Sequence, residues 1–219
     1  MPCPCRRHRR RLTQVTRLFK QAEIPDRFRW KFRSDFSAFA PDGHTPIVVE
    51  QKAKKALDLV SWVVGSDEEP QRGFLFHGTP GTGKTLLGSI ILNELILHRA
   101  RAGRFLNLSR KYFQKLRDTY SQDSEHYGRT WQIVDELCKI PYLVLDDFGV
   151  QRGTDWETEM LYDLVDARYG EQRFTMVTTN QTLDEIRELS GGRIFSRLTE
   201  MCYSVQMNGT DYRQYLRSD

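Results

Sequence analysis

Long apolar runs are scarce in this chain. None approaches the roughly 18 residues of a membrane-spanning helix, so no membrane segment is expected. The basic N-terminus lacks the apolar stretch of a secretory signal. Cysteine is sparse as well. The four cysteines are too scattered to read as a disulfide framework, and a reduced, cytoplasmic setting fits them best. No internal repeat and no low-complexity block is present. What remains is a globular chain of 219 residues, 39% apolar and 28% charged. That length suits one domain with a small appendage, and it buries a core without disulfides.

The net charge of +4 hides an asymmetry. Residues 1–33 hold eleven Lys/Arg against Glu23 and Asp26, a local net of +9, which leaves −5 for the remainder. A basic arm on an acidic body suits an anionic partner, either nucleic acid or an acidic protein face. A solvated, partly disordered tail is the alternative. The division suggests a basic arm and linker over 1–44 and a folded domain over 45–219. Cys3 and Cys5 form half of a zinc pair. His8 offers a third donor and nothing nearby a fourth, short of a closed site. Phe28, Trp30, Phe32, Phe36 and Phe39 form an aromatic connector interleaved with basic residues. Such a pattern can stack bases, but it reads better as a strap that packs the linker onto the core.

One stretch organises the rest: Gly78, Thr79, Pro80, Gly81, Thr82, Gly83, Lys84, Thr85. It follows the apolar run Phe74 to Phe76 and opens a helical one from Leu86 to Leu97. Strand, glycine loop and helix is the context a phosphate loop requires. Glycine permits positive φ and close approach of a phosphate. Successive N–H groups and the helix N-terminus then face the anion. Lys84 is expected on the β and γ phosphates of a nucleotide, and the Thr85 hydroxyl on Mg²⁺.

The acidic partner lies about 60 residues on, a distance read by counting along the chain. Tyr142 to Asp146 is an apolar run ending in acid, which reads as a buried parallel strand. A carboxylate at such a strand end faces the crevice where ligands bind in open sheets. Asp146 is expected to hold Mg²⁺, and Asp147 to position or deprotonate the attacking water. Thr178, Thr179 and Asn180 end the next strand at the same edge. Asn180 either orients that water or is an ordinary turn asparagine. Arg193 and Arg197 are four apart and share a face on a helix. An arginine reaching a neighbour's γ phosphate stabilises phosphoryl transfer; surface charge is the other reading. Arg213 is a weaker third candidate.

Helical spacing is expected over Pro46 to Val64 after a turn at Pro41 to Gly43, and again over Trp131 to Leu137 and Trp156 to Tyr169. Ser109 reads as an N-cap for Tyr112 to Leu116. Strands are expected at Arg104 to Leu108, Phe174 to Thr178 and Cys202 to Met207. Strands alternating with helices imply an α/β fold with a parallel sheet.

These pieces, in this order, resemble the AAA+ ATPases of the DnaC/DnaI helicase-loader and IstB group. The likeness runs from about Pro2 to Arg213. It is carried by Gly78 to Thr85, Leu145 to Gly149, Thr154 to Glu157, Ala167 to Tyr169, Thr178 to Gln181, the Arg193/Arg197 segment and Asp211 to Arg213. The resemblance implies a P-loop NTPase with a five-stranded parallel sheet in order 5-1-4-3-2. It puts Asp147 in the catalytic Walker B place, with Asp where most AAA+ proteins have Glu. Asn180 matches sensor 1, Arg197 the arginine finger, Arg193 the adjacent arginine and Arg213 sensor 2. Arg110, Lys111, Tyr112, Lys115 and Arg117 fall where the family contacts DNA. Tyr112 would stack a base while the cations meet phosphates; a solvated amphipathic helix is the plain alternative.

Two departures accompany the match. The cysteine-rich module of DnaI-type loaders is represented only by Cys3 and Cys5, without a first pair. The helical lid expected beyond Arg213 is reduced or absent in a sequence whose last residue is Asp219. The implied function is an ATP-driven helicase loader, homo-oligomeric in its ATP state on single-stranded DNA, that delivers a replicative helicase. A transposition helper serving a transposase is the alternative, and a P-loop small-molecule kinase a more distant one.

Overall fold

The computed structural model describes residues 5–37, 39, 58, 61–66, 68–149 and 154–217. The expected turn at 41–43, most of the helix expected over 46–64, the boundary at 44/45 and Cys3 lie outside them.

Five strands form one sheet: β1 (Gly73–His77), β2 (Gly103–Asn107), β3 (Tyr142–Asp146), β4 (Phe174–Thr178) and β5 (Cys202–Gln206). Their order is β2-β3-β4-β1-β5, and every pairing is parallel. Read from the other edge, this is the order the resemblance implies. Strands β1, β3 and β4 are buried along their whole length, as sheet strands covered on both faces must be. Edge strand β5 exposes Ser204 and Gln206.

Side chains alternate across each strand, so the sheet has two cores. Phe74, Phe76, Val144 and Met176 face one side, with Leu87, Ile91 and Leu95 of α2 (Lys84–Arg99). Leu75, Leu143, Leu145 and Val177 face the other. There they meet α3 (Phe113–Asp118), α4 (Thr130–Lys139), α5 (Asp155–Gly170), α6 (Leu183–Glu188) and α7 (Arg193–Met201). Thr154 caps α5, and Thr182 with Glu185 makes a capping box on α6.

The basic arm differs from a disordered tail. Residues Cys5–Gln21 form a helix, α1, whose Val15, Leu18 and Phe19 join the first core. Arg11 donates to the carbonyl of His98 at 3.0 Å and Gln14 to that of Ala100 at 3.0 Å. These donors meet the unpaired carbonyls at the negative end of α2. The aromatic connector is a strap, as expected. Phe28, Phe32 and Phe36 pack on the first core, and Trp30 lies 4.9 Å from Phe19, centroid to centroid. Buried Asn93 of α2 pins it, donating to the carbonyls of Phe28 at 2.9 Å and Lys31 at 2.7 Å.

Arg168, inside a motif of the family resemblance, is fully buried. Its guanidinium donates to the carbonyls of Leu137, Ile140 and Phe174 and to the Thr175 hydroxyl. It ties the end of α4 to the start of β4.

Candidate functional site

Because all strands run parallel, Asn107, Asp146 and Thr178 lie at one edge of the sheet, in the register Asn107 opposite Asp146. The glycine loop 78–83 leaves β1 at the same edge and opens α2. Gly83, the N-cap of α2, has φ +90°, and Gly81 has φ +76°, conformations that favour glycine. A Cβ on Gly81 would strike the Asp211 side chain. The segment after β5 is thus folded onto the loop. Tyr212 N–H donates to Gly81 O at 3.1 Å, and the Thr82 hydroxyl to Met207 O at 3.1 Å. Thr79 Oγ1 donates to Gly209 O and accepts from Gly209 N, both at 3.0 Å.

Lys84 Nζ donates to the carbonyls of Gly78 at 2.9 Å and Thr79 at 2.6 Å. Burial pulls its pKa down to about 8, helped by the nearby Arg213 and opposed by Asp147 and Asp146. A buried cation held mainly by neutral carbonyls is poised to gain from an anion.

Asp146 is buried, with Oδ1 accepting from the Thr178 hydroxyl at 2.7 Å and Oδ2 from Asn107 Nδ2 at 3.3 Å. Burial raises its pKa, and the Thr178, Thr85 and Asn107 hydrogen bonds oppose that rise. Thr85 is thus close enough to Asp146 to favour its ionised form. Hydroxyl and carboxylate are hard oxygen donors of the kind Mg²⁺ takes. Asp147 has φ +59°, a conformation Asp tolerates better than most residues. Its Oδ2 accepts from Asn107 Nδ2 at 2.9 Å, and the next N–H, of Phe148, donates to Thr178 O at 2.9 Å.

A cavity of about 490 Å³ opens beside these groups. Its lining includes Gly81 to Thr85, Asp147, Thr178 to Asn180, and Arg213. The strap residues Phe28, Lys31 and Phe36 close one side with Tyr212. The size lies within the ordinary range of small-ligand pockets. Gly78, Thr79 and Pro80, the first residues of the loop, are absent from that lining.

Arg193 and Arg197 are absent from that lining. They share a face of α7, as their spacing predicts, and both lie over the Tyr162 ring, at 4.5 and 4.9 Å from its centroid. Arg197 is also paired with Asp166 and donates to Tyr162 Oη at 2.9 Å.

The segment expected at DNA needs correction. Tyr112 is buried and its hydroxyl donates to Met160 O at 3.3 Å, so its ring is packed in the core and unavailable to stack on a base. Residues Leu108–Tyr112 form a π-helical turn ahead of α3. Ser109 therefore does not cap α3; its hydroxyl donates to Asn107 Oδ1 at 3.2 Å. Lys111 is paired with Glu23 at 3.5 Å and Arg117 with the buried Glu157 at 2.8 Å. Lys115 is half-exposed, and the Arg110 side chain lies outside the description. Among the described residues no group of three potential metal-ligating His, Cys, Asp or Glu side chains occurs, and no helix is long and apolar enough to cross a membrane.

Sequence reading missed Asn107, which touches both acids, and the 207–213 segment as a brace for the loop. Asn107 was visible as a polar residue ending a strand beside Asp146. The brace carries no local signal.

Fold and site together define a P-loop nucleotide-binding protein of the AAA+ type. The chain belongs to the IstB-like ATP-binding protein family, whose model matches residues 5–219. It is similar to the replicative helicase loader DnaC of Escherichia coli K12, at 32% identity over 127 residues, covering 57% of this chain and 49% of that one. An uncharacterized protein of Bacillus subtilis, YqaM, is 24% identical over 214 residues, covering 94% of this chain and 63% of that one. The chain thus spans about half the length of the DnaC relative. Among solved structures, DnaI aligns with TM-score 0.67 and 21% identity over 87% of this chain and 95% of that chain. The DnaC helicase loader aligns with TM-score 0.63 and 22% identity over 80% of this chain and 99% of that one. At those identities the likeness supports the fold.

Proposed function

We propose that this protein is a cytoplasmic ATPase that loads a replicative helicase, assembling as a homo-oligomer on single-stranded DNA in its ATP state. The observation that carries the nucleotide part is the convergence of Lys84, Thr85 and Asp147 on one cavity, with buried Asp146 bonded to the cavity-lining Thr178. Backbone N–H groups of 81–85 and the Lys84 ammonium grip the phosphates. Thr85 and Asp146 would hold Mg²⁺, which would shield the phosphate charge. Asp147 accepts the proton of the attacking water, Asn180 aligns that water, and Arg213 meets the nucleotide from the braced C-terminal segment. Arg197, with Arg193 beside it, serves the site of the adjacent subunit. Arg110, Lys111, Lys115 and Arg117 lie along the proposed DNA path, with Lys111 and Arg117 leaving their present carboxylates to reach it.

The loader reading rests on the similarity to DnaC. The family match favours a second reading, a transposition helper that presents DNA to a transposase. The test is capture of candidate replicative helicases and a transposase by the tagged chain, with and without ATP. Helicase retention that changes with ATP supports the loader. Transposase retention with no helicase overturns it.

A further inference from the structure

The family reading leaves α1 without a task. Its 17 residues contain no acid. At ~100° per residue, Arg6, Arg9, Arg10, Arg17 and Lys20 fall within an arc of about 100°. Val15, Leu18 and Phe19 lie on the opposite side and are buried against the core. All five cations are exposed, and among the described residues none takes part in an ion pair. The stripe runs about 21 Å along the helix, at 1.5 Å per residue.

The packing narrows the partner. A basic amphipathic helix that lies on a membrane needs a free apolar face, and here that face is already in the core. Four of the five cations are arginine, whose planar fork matches phosphate. No aromatic side chain stands in the stripe, so it lacks the aromatic platforms on which single-strand binders stack successive bases. A rigid row of cations without base-reading groups suits a continuous phosphate backbone.

We propose that the outer face of α1 is a sequence-independent binding surface for the backbone of double-stranded DNA, separate from the nucleotide cavity and independent of ATP.

The test uses the full chain and a fluorescent duplex of mixed sequence, read by anisotropy across a salt series without nucleotide. Five phosphate contacts give a slope of log K against log salt of about −4 to −5. Replacing the row (Arg6→Gln, Arg9→Gln, Arg10→Gln, Arg17→Gln, Lys20→Gln) is expected to flatten the slope by about 3 or more and weaken binding at least tenfold, a prediction on the order set by phosphate neutralisation. These side chains are exposed and glutamine is a good helix former, so circular dichroism and ATP binding should be unchanged. Lys84→Ala should leave duplex binding intact, which separates this surface from the loader reading. Replacing Lys139, Arg173 and Arg187 by glutamine removes cations elsewhere and should leave the slope nearly as it was. An unchanged slope in the five-fold variant overturns the proposal. So does competition by polyglutamate as strong as that by unlabelled duplex, which would mark an acidic protein as the partner.

Discussion

Asn107 Nδ2 donates to the Asp147 carboxylate at 2.9 Å, and the same amide reaches Asp146 at 3.3 Å. One side chain at the end of β2 thus touches both acids, orienting Asp147 while Thr178 holds Asp146 more closely, at 2.7 Å. Asp147 sits at φ +59°, so its direction depends on such neighbours. In the proposed reaction, Asn107→Ala should lower ATP turnover about 10–100-fold, the usual range for groups that orient a metal-site residue. Nucleotide affinity should change little. Steady-state turnover alongside a nucleotide titration checks this; equal turnover in both proteins would remove Asn107 from the machinery.

Lys84 has a pH signature. Its pKa is drawn from 10.5 down to about 8, mainly by burial. Between those values the unfolded chain binds more protons than the folded one, so this group's contribution to stability rises with pH. Nucleotide binding runs the other way. A phosphate favours the charged lysine, so binding takes up a proton and affinity falls as pH rises through about 8, by at most about tenfold per pH unit. Calorimetry in buffers of different ionisation enthalpy near pH 9 should register proton uptake. Release of protons there would contradict the assignment.

Arg197 rests on Asp166 and Tyr162, outside its own cavity. If it serves the neighbouring subunit, Arg197→Ala should leave ATP affinity unchanged and reduce turnover by about 10³-fold or more under assembling conditions. Normal turnover by the purified variant would end the finger assignment.

Arg168 predicts a loss of stability. Arg168→Ala leaves the carbonyls of Leu137, Ile140 and Phe174 without their donor and opens a cavity under β4. Together these should cost about 3 kcal/mol or more. A urea midpoint close to that of the parent would show that water replaces the guanidinium.

Much of this molecule was legible because it obeys local rules. Tyr142 to Asp146 and Phe174 to Thr178 are continuous apolar runs, and both are strands over the expected residues. The glycine loop announced its own strand and helix. Helix α1 was less visible, because its seven cations mask the apolar spacing of Val15, Leu18, Phe19 and the following Ala22 on one helical face. Tyr112 misled for a different reason. Its basic neighbours suggested a surface, but side chains i and i+1 on a helix point in different directions, and Tyr112 points inward. Contacts such as Asn93 to Phe28, or Asp211 against Gly81, join residues far apart in sequence, so no local window contains them.

The most direct measurement is a calorimetric titration of Mg²⁺ and ATP into the parent chain and into Lys84→Ala. We predict saturable binding by the parent and a loss of at least tenfold in the variant, an order set by removal of a charge-assisted phosphate contact. Equal affinity in the two proteins would contradict the claim that this cavity grips a triphosphate through Lys84.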